Sequence, residues 1–393
     1  MKPASTLPAL FVAALMIALV PAGAAAQLAI SANDGKVMLV DGVNTPRPDP
    51  QPDTVSIIDV RTFPPKLIAE VQAPTSVAGP PHSVAIAPDQ AIALVTSSSK
   101  INPANPKEAI QNDQLSVIDL QSSPPRLLVT LHAGAGASRV TINRAGTLAL
   151  VANRAEGSVS VFTIKGKTVA AAGKVDLQGG PDSMPSQVMF TADGRTALVS
   201  CNAATDNRIA VLTVNGSRVE YSKSDTSDFY AGLRPYGMDI TPSGDMAVIA
   251  NIGAGMAGGV DVVSLVDLKS VPPRTIDQIS VGPVPEGISI SPNGRYVAVT
   301  VMNGTNAPKA SPFFHDFGLL KVLRIDGRTL SLVAENKIGH WCQGVAWMPD
   351  STTVLAQCMV EREIQMFGFN GKTLKPAGSI KVNGGPAGIR TTR

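Results

Sequence analysis

The sequence predicts an all-β fold: a seven-bladed β-propeller of four-stranded antiparallel blades, with the first blade closed by the C-terminal strand. Three observations predict it. An apolar strand returns seven times: VSIIDV (55–60), LSVIDL (115–120), VSVFTI (159–164), IAVLTV (209–214), VSLVDL (263–268), LKVLRI (320–325) and IQMFGF (364–369). The copies are 44 to 60 residues apart. A strand–turn–strand unit precedes six of them, from SVAIAPDQAIALVTS (83–97) to GVAWMPDSTTVLAQC (344–358). A fourth strand follows each copy, through X-Gly dipeptides such as Asn215-Gly216 or Pro pairs such as Pro64-Pro65. X-Gly pairs favour tight hairpin turns. Each repeat is thus a four-stranded meander that cannot bury both faces alone, so neighbours must stack and close.

The elements follow in order. Residues 1–26 read as a signal peptide: Met1-Lys2, an apolar run from Leu7 to Val20, then Ala24-Ala25-Ala26 before Gln27. That run falls short of the roughly 20 residues a comfortable membrane span needs. The mature chain is expected as one propeller domain, 27–393, periplasmic or secreted and not membrane-spanning. Residues 28–42 match the second strand of the later repeats, with no innermost strand before them. The segment GGPAGIRTTR (384–393) reads as a lone innermost strand that completes blade 1 and covers its free edge. A ring sealed in this way stands alone, so a monomer is expected.

Composition narrows the function. Apolar residues make up 44% and charged residues 16%, with a net charge of +3 and no Lys/Arg block. A globular core follows, and a phosphate-backbone binder is not indicated. Cys342 and Cys358 flank a hairpin centred on Asp350, which sets them opposite each other for a disulfide. Closing 15 intervening residues is worth about 3 kcal/mol in the chain-entropy model. Cys201 is expected as a buried thiol.

The repeats resemble the YVTN-repeat, lactonase-like seven-bladed propellers. The family tetrad is echoed by LVAN (150–153), VSCN (199–202) and VIAN (248–251), while LVTS (94–97) and AVTV (298–301) depart from it. The resemblance implies the fold and a lactone-related activity. A similar scaffold forms the large subunits of quinoprotein amine dehydrogenases.

The loops entering the first strands and leaving the second strands share one face of a propeller. There the ring residues are His82, Ser138, Ser186, Tyr236, Glu286, Gln343 and Ala387. Beside them stand Arg139, Gln187, Arg234 and His340, and the second strands end in Asn153, Asn202 and Asn251. Insertions at 34–53, 98–113 and 303–318 are expected as long loops on this face, the last carrying Phe313, Phe314, His315 and Phe317. His82 and Glu286 come from blades that oppose each other. An imidazole and a carboxylate there can act as acid and base, with Tyr236, Arg139 and Arg234 around them. Arginine would stabilise oxyanion charge. Gln187, the three Asn, His340, Gln343 and Phe314 would contact the ligand. The structural reading stays open beside this: Asn as strand-end caps, His82 on a backbone carbonyl, Glu286 paired with Arg139 or Arg234. No HExxH, CxxCH, GxSxG or Walker-type loop occurs, so no cofactor is evident. A divalent metal on His82, Glu286 and His340 is left open.

Three expectations remain. The chain is a binding module for a small molecule, envelope polymer or envelope protein; or a lactonase-like hydrolase or lyase; or an accessory subunit of a periplasmic redox enzyme. The sequence leaves catalysis undecided.

Overall fold

The computed structural model describes Met1, 27–224, 227–255 and 259–392; the signal-peptide reading of residues 1–26 lies almost wholly outside them. Seven four-stranded antiparallel sheets follow one another along the chain. Blades 2 to 7 span 84–132, 137–176, 185–220, 235–282, 285–338 and 342–381. Blade 1 is composite: its inner strand is Gly385–Thr391, followed outward by Leu28–Asp34, Thr54–Asp59 and Lys66–Gln72. The C-terminal strand therefore closes the ring as the sequence predicts. It is antiparallel to Leu28–Asp34, with Ser31 opposite Ile389. Among the described residues the one helical element is the 3-10 turn Gly180–Ser183, and no helix is long and apolar enough to cross a membrane.

Burial explains the strand compositions. The second strands are covered on both faces, so Leu148–Asn153 is buried throughout. Outer strands meet solvent, and Lys66–Gln72 is mostly exposed. The core sits between blades. Leu150, Val159 and Leu148 of blade 3, for example, pack on Val188, Val199 and Leu212 of blade 4.

Six of the seven inner strands start with a β-bulge, and the bulged residues include Ser138, Ser186, Tyr236, Glu286, Gln343 and Ala387. A bulge re-aims side chains at a strand end. The residue after each divides the ring in two. Blades 5, 6, 7 and 1 place Gly237, Gly287, Gly344 and Gly388 there; blades 2, 3 and 4 place Ser83, Arg139 and Gln187. The glycines permit close blade contact. A Cβ on Gly237 would stand 2.3 Å from the Glu286 carbonyl oxygen, and one on Gly287 would stand 2.0 Å from that of Gln343. On the other side of the ring, Arg139 and Gln187 reach across to the Tyr236 and Met238 carbonyls.

The three insertions depart in part from the expected loops. Val37–Val40 and Val43–Pro46 pair as a small hairpin within 34–53. Residues 98–113 are a continuation of the central hairpin of blade 2, Ile92–Asn102 and Asn105–Asp119. Beyond the core that hairpin stands in solvent, with 106–111 exposed throughout. Only 303–318 is irregular. The insertions converge on one face: Lys309 N–H donates to Asp41 (2.7 Å). Val37, Met302, Trp341 and Met359 form an apolar cap, with Leu39, Ile101 and Tyr236 against it.

The Asn residues that end the second strands brace their own blades. Asn153 Nδ2 donates to Ser158 Oγ and Ser160 Oγ, each at 2.9 Å, and Asn251 Nδ2 donates to Ser264 Oγ at 2.9 Å. Asn33 does the same with Ser56 (2.8 Å). Blade 4 breaks this pattern. Its observed register sets Ile209 opposite Ser200, as Ser160 is set opposite Val151. The alignment that sequence periodicity gives is thus one residue off in blade 4. Arg208 takes the place of Val159 there, neutralised by Asp206 and Asp228. With Asn207 and Ile209 standing where blade 3 has Ser158 and Ser160, Asn202 is buried with neither amide atom hydrogen-bonded. Asn153→Ala should therefore cost about 2–3 kcal/mol, and Asn202→Ala under about 1 kcal/mol. Equal losses in denaturant melts would contradict this account of the bracing.

Candidate functional site

The bulges and the two-sided ring together build a polar centre in the channel. Gln187 is its hub. Its Oε1 accepts from His82 Nδ1 (2.8 Å), Arg139 Nη1 (3.1 Å) and Met238 N–H (2.9 Å). Its Nε2 donates to the Met238 carbonyl (2.7 Å). The strand Pro235–Ile240 thereby fixes which way the amide faces, and four blades are tied across the channel. Because Gln187 Oε1 only accepts, His82 Nδ1 carries the hydrogen in that bond.

Arg139 is buried and also donates to the Tyr236 carbonyl (2.6 Å), with its guanidinium 4.1 Å from the Tyr236 ring centroid. Arg154 approaches the same ring at 5.9 Å. Burial pulls Arg139 down to about 10 and lowers Arg154 as well. Burial also raises the Tyr236 phenol, with the Glu286 charge adding to the rise. Glu286 is pushed up to about 7: desolvation by the surrounding wall outweighs the pull of Arg139 and Arg154. Glu286 is half-buried as a residue, with its Oε2 fully enclosed by protein.

Several groups here lack partners. Arg139 Nε and Nη2, Arg154 Nη1 and Glu286 Oε2 are buried without a hydrogen bond. Such groups in a native fold call for an explanation, a ligand among them. A cavity of about 200 Å3 opens at this mouth, lined by Arg154, Tyr236, Ser98, Ser138, Ser186 and the segment 77–80. It is smaller than the roughly 300–1,000 Å3 of drug-sized sites, so it suits a small molecule. Arg139 and Glu286 do not line it; they act on Arg154 and Tyr236 from beside it.

The other singled-out residues lie elsewhere. Arg234 donates from Nε to the Asn202 carbonyl (3.3 Å) and adds positive charge near Arg154. Gln343 is buried at the blade 7 bulge, with Oε1 unpartnered. Phe314 is half-buried in its turn, and Phe317 lies under Lys337, whose Nζ is 4.0 Å from the ring centroid. His340 is bracketed by Glu361 (2.6 Å) and Asp316 (2.9 Å). His82, Glu286 and His340 are therefore not gathered as one ligand set. The sequence does not single out segment 77–80; its one signal is the Gly79-Pro80-Pro81 run ahead of His82.

The bracket fastens loop 303–318 to blade 7 and makes it pH-sensitive. Desolvation opposes charge on His340, but the hydrogen bonds to Glu361 and Asp316 prevail and raise its pKa. The folded value lies above the unfolded one of about 6.5. The stabilisation is therefore complete below that value and is lost as pH rises through the folded value. Proteolysis within 309–314 should be faster at pH 9 than at pH 6, and fast at both in His340→Gln. A wild-type loop as open at pH 6 as the variant's would refute the clamp.

Cys342 and Cys358 are joined, opposite each other as the hairpin reading requires. Cys201 is buried, and burial pushes its thiol up to about 12, so it is protonated at neutral pH.

Comparisons with known proteins bear on the fold. A candidate 6-phosphogluconolactonase of Bacteroides uniformis superposes with a TM-score of 0.68 at 16% identity, covering 94% of this chain and 100% of that one. The periplasmic gluconolactonase of Pseudomonas aeruginosa gives 0.65 at 14% identity, covering 92% and 99%. Hydrazine synthase of Kuenenia stuttgartiensis gives 0.60 at 16%, covering 79% and 89%. The fold is thus that of the lactonase-like seven-bladed propellers. No protein-family model and no curated protein sequence matches the chain.

Proposed function

We propose that the protein is a lactonase-like hydrolase acting on a small anionic lactone at the channel mouth, in the periplasm or outside the cell. The observation that carries this reading is Glu286: a carboxyl near pH 7 with an unpartnered oxygen, beside two arginines with unpartnered N–H groups. A general base works best with a pKa near the working pH. Ionised Glu286 would take a proton from water as that water attacks the lactone carbonyl. The acyl–oxygen bond then breaks, the leaving ring oxygen takes the proton back from Glu286, and the ring opens to a hydroxy acid. Arg154 would donate to the oxygen that gains charge or to the anionic group of the substrate, with Arg139 adding positive charge from beside the cavity. Gluconolactonase-type neighbours support the reading at the level of fold alone.

The test is proton release from a panel of sugar-acid lactones, with and without a phosphate or carboxylate group, against spontaneous hydrolysis. One observation favours a second reading, that of a binding module: Glu286 does not line the cavity, whose polar wall is Arg154, Tyr236 and three serines. A compound that raises the melting temperature but is not hydrolysed would establish that reading instead.

A further inference from the structure

Blade 7 carries a second cluster, unrelated to the channel cavity. Cys342 and Cys358 are buried and directly opposed on the two inner strands. Glu361, in the turn that follows, brings a carboxylate oxygen within 4.8 Å of both sulfurs. Among the described residues this is the one close grouping of three Cys, His, Asp or Glu side chains. The carboxylate is held in place. His340 N–H lies 3.0 Å from both of its oxygens, and His340 Nδ1 lies 2.6 Å from Oε1. Gly339 makes room for it: a Cβ there would fall 2.4 Å from the carboxylate.

The geometry points to a zinc-type metal site built from Cys342, Cys358 and Glu361, with His340 beside it, that is shut while the disulfide stands and opens on reduction. Two thiolates and a carboxylate match the sulfur and oxygen donors that zinc takes, with water as the fourth ligand of a tetrahedral site, and His340 orients the carboxylate. A dithiol or phosphine reductant supplies two electrons, and two protons are taken up. The S–S bond breaks into two thiols, and the reductant leaves oxidised. Zn2+ then displaces both thiol protons on binding. Metal binding draws on Glu361, which also holds His340, and His340 holds Asp316. Occupancy is thereby transmitted to loop 303–318.

The test uses the full chain carrying Cys201→Ser, so that the pair supplies the only thiols. After anaerobic reduction with a phosphine, Co2+ is titrated in and thiolate-to-cobalt charge-transfer absorbance is read, followed by Zn2+. One Co2+ per chain, displaced by one Zn2+, is the expected result. Binding should be absent in the unreduced protein and in Cys358→Ser, and at least tenfold weaker in Glu361→Gln. No charge-transfer band after reduction, a band that survives Cys358→Ser, or unchanged affinity in Glu361→Gln would overturn the site. If reduction unfolds the chain, recovery of native circular dichroism with Zn2+ supports it, and failure to recover overturns it.

Discussion

Glu286→Gln should lower lactone hydrolysis by about 100- to 10,000-fold, the range that general acid–base groups contribute, while leaving the fold intact. The wild-type rate should rise with pH through about 7, where Glu286 loses its proton. The same substitution should act on stability in the opposite sense. The folded pKa of Glu286 is raised above its unfolded value, so folding takes up a proton between the two. Its contribution to stability is fullest below the unfolded value of about 4.3 and declines as pH rises toward 7. Glutamine stays neutral throughout. The variant should therefore melt at or above the wild type at pH 8, and the gap should close at pH 4. Lost hydrolysis together with a lower melting temperature at pH 8 would mean that Glu286 holds the ring together rather than serving chemistry.

Removal of residues 385–393 should be the most damaging change to stability. It strips blade 1 of its inner strand and takes away Ile389, which is fully buried against Ala29, Ile58 and Leu355. Links across the closure go with it, among them Thr392 N–H to the Leu28 carbonyl (2.9 Å) and Thr391 Oγ1 to the Trp347 carbonyl (2.7 Å). The melting temperature should fall by about 10 °C or more, given that each kcal/mol moves a domain of 150–250 residues by about 2–4 °C. Far-UV circular dichroism and tryptophan fluorescence should lose their native signals together, because Trp347 lies in the neighbouring blade. An unchanged melting temperature would refute the closure argument.

Much of this architecture is legible in the sequence, because period-two strands, turn dipeptides and a fixed repeat leave one way to bury seven sheets. The ring residues are legible for the same reason: bulges recur where the repeats align. The chemistry of the centre is less so. Gln187 looks like any polar residue until three donors meet at its Oε1. The roles of Asn153 and Asn202 differ because Asn207 and Ile209 replace two serines across the sheet, contacts that depend on register. His340 was a natural metal candidate, but its two carboxylate partners lie 21 and 24 residues away, beyond any local pattern.

The closure of blade 1 also sets the order of events in synthesis. The hydrogen bond from Leu28 N–H to Thr392 Oγ1 joins residues 364 positions apart. The second strand of blade 1 leaves the ribosome long before its inner partner does. Until then its edge offers unpaired backbone groups to any passing strand. A product released before residue 385 would expose that edge permanently, so stalled or clipped chains should be drawn to chaperones and proteases as a class apart from the finished ring.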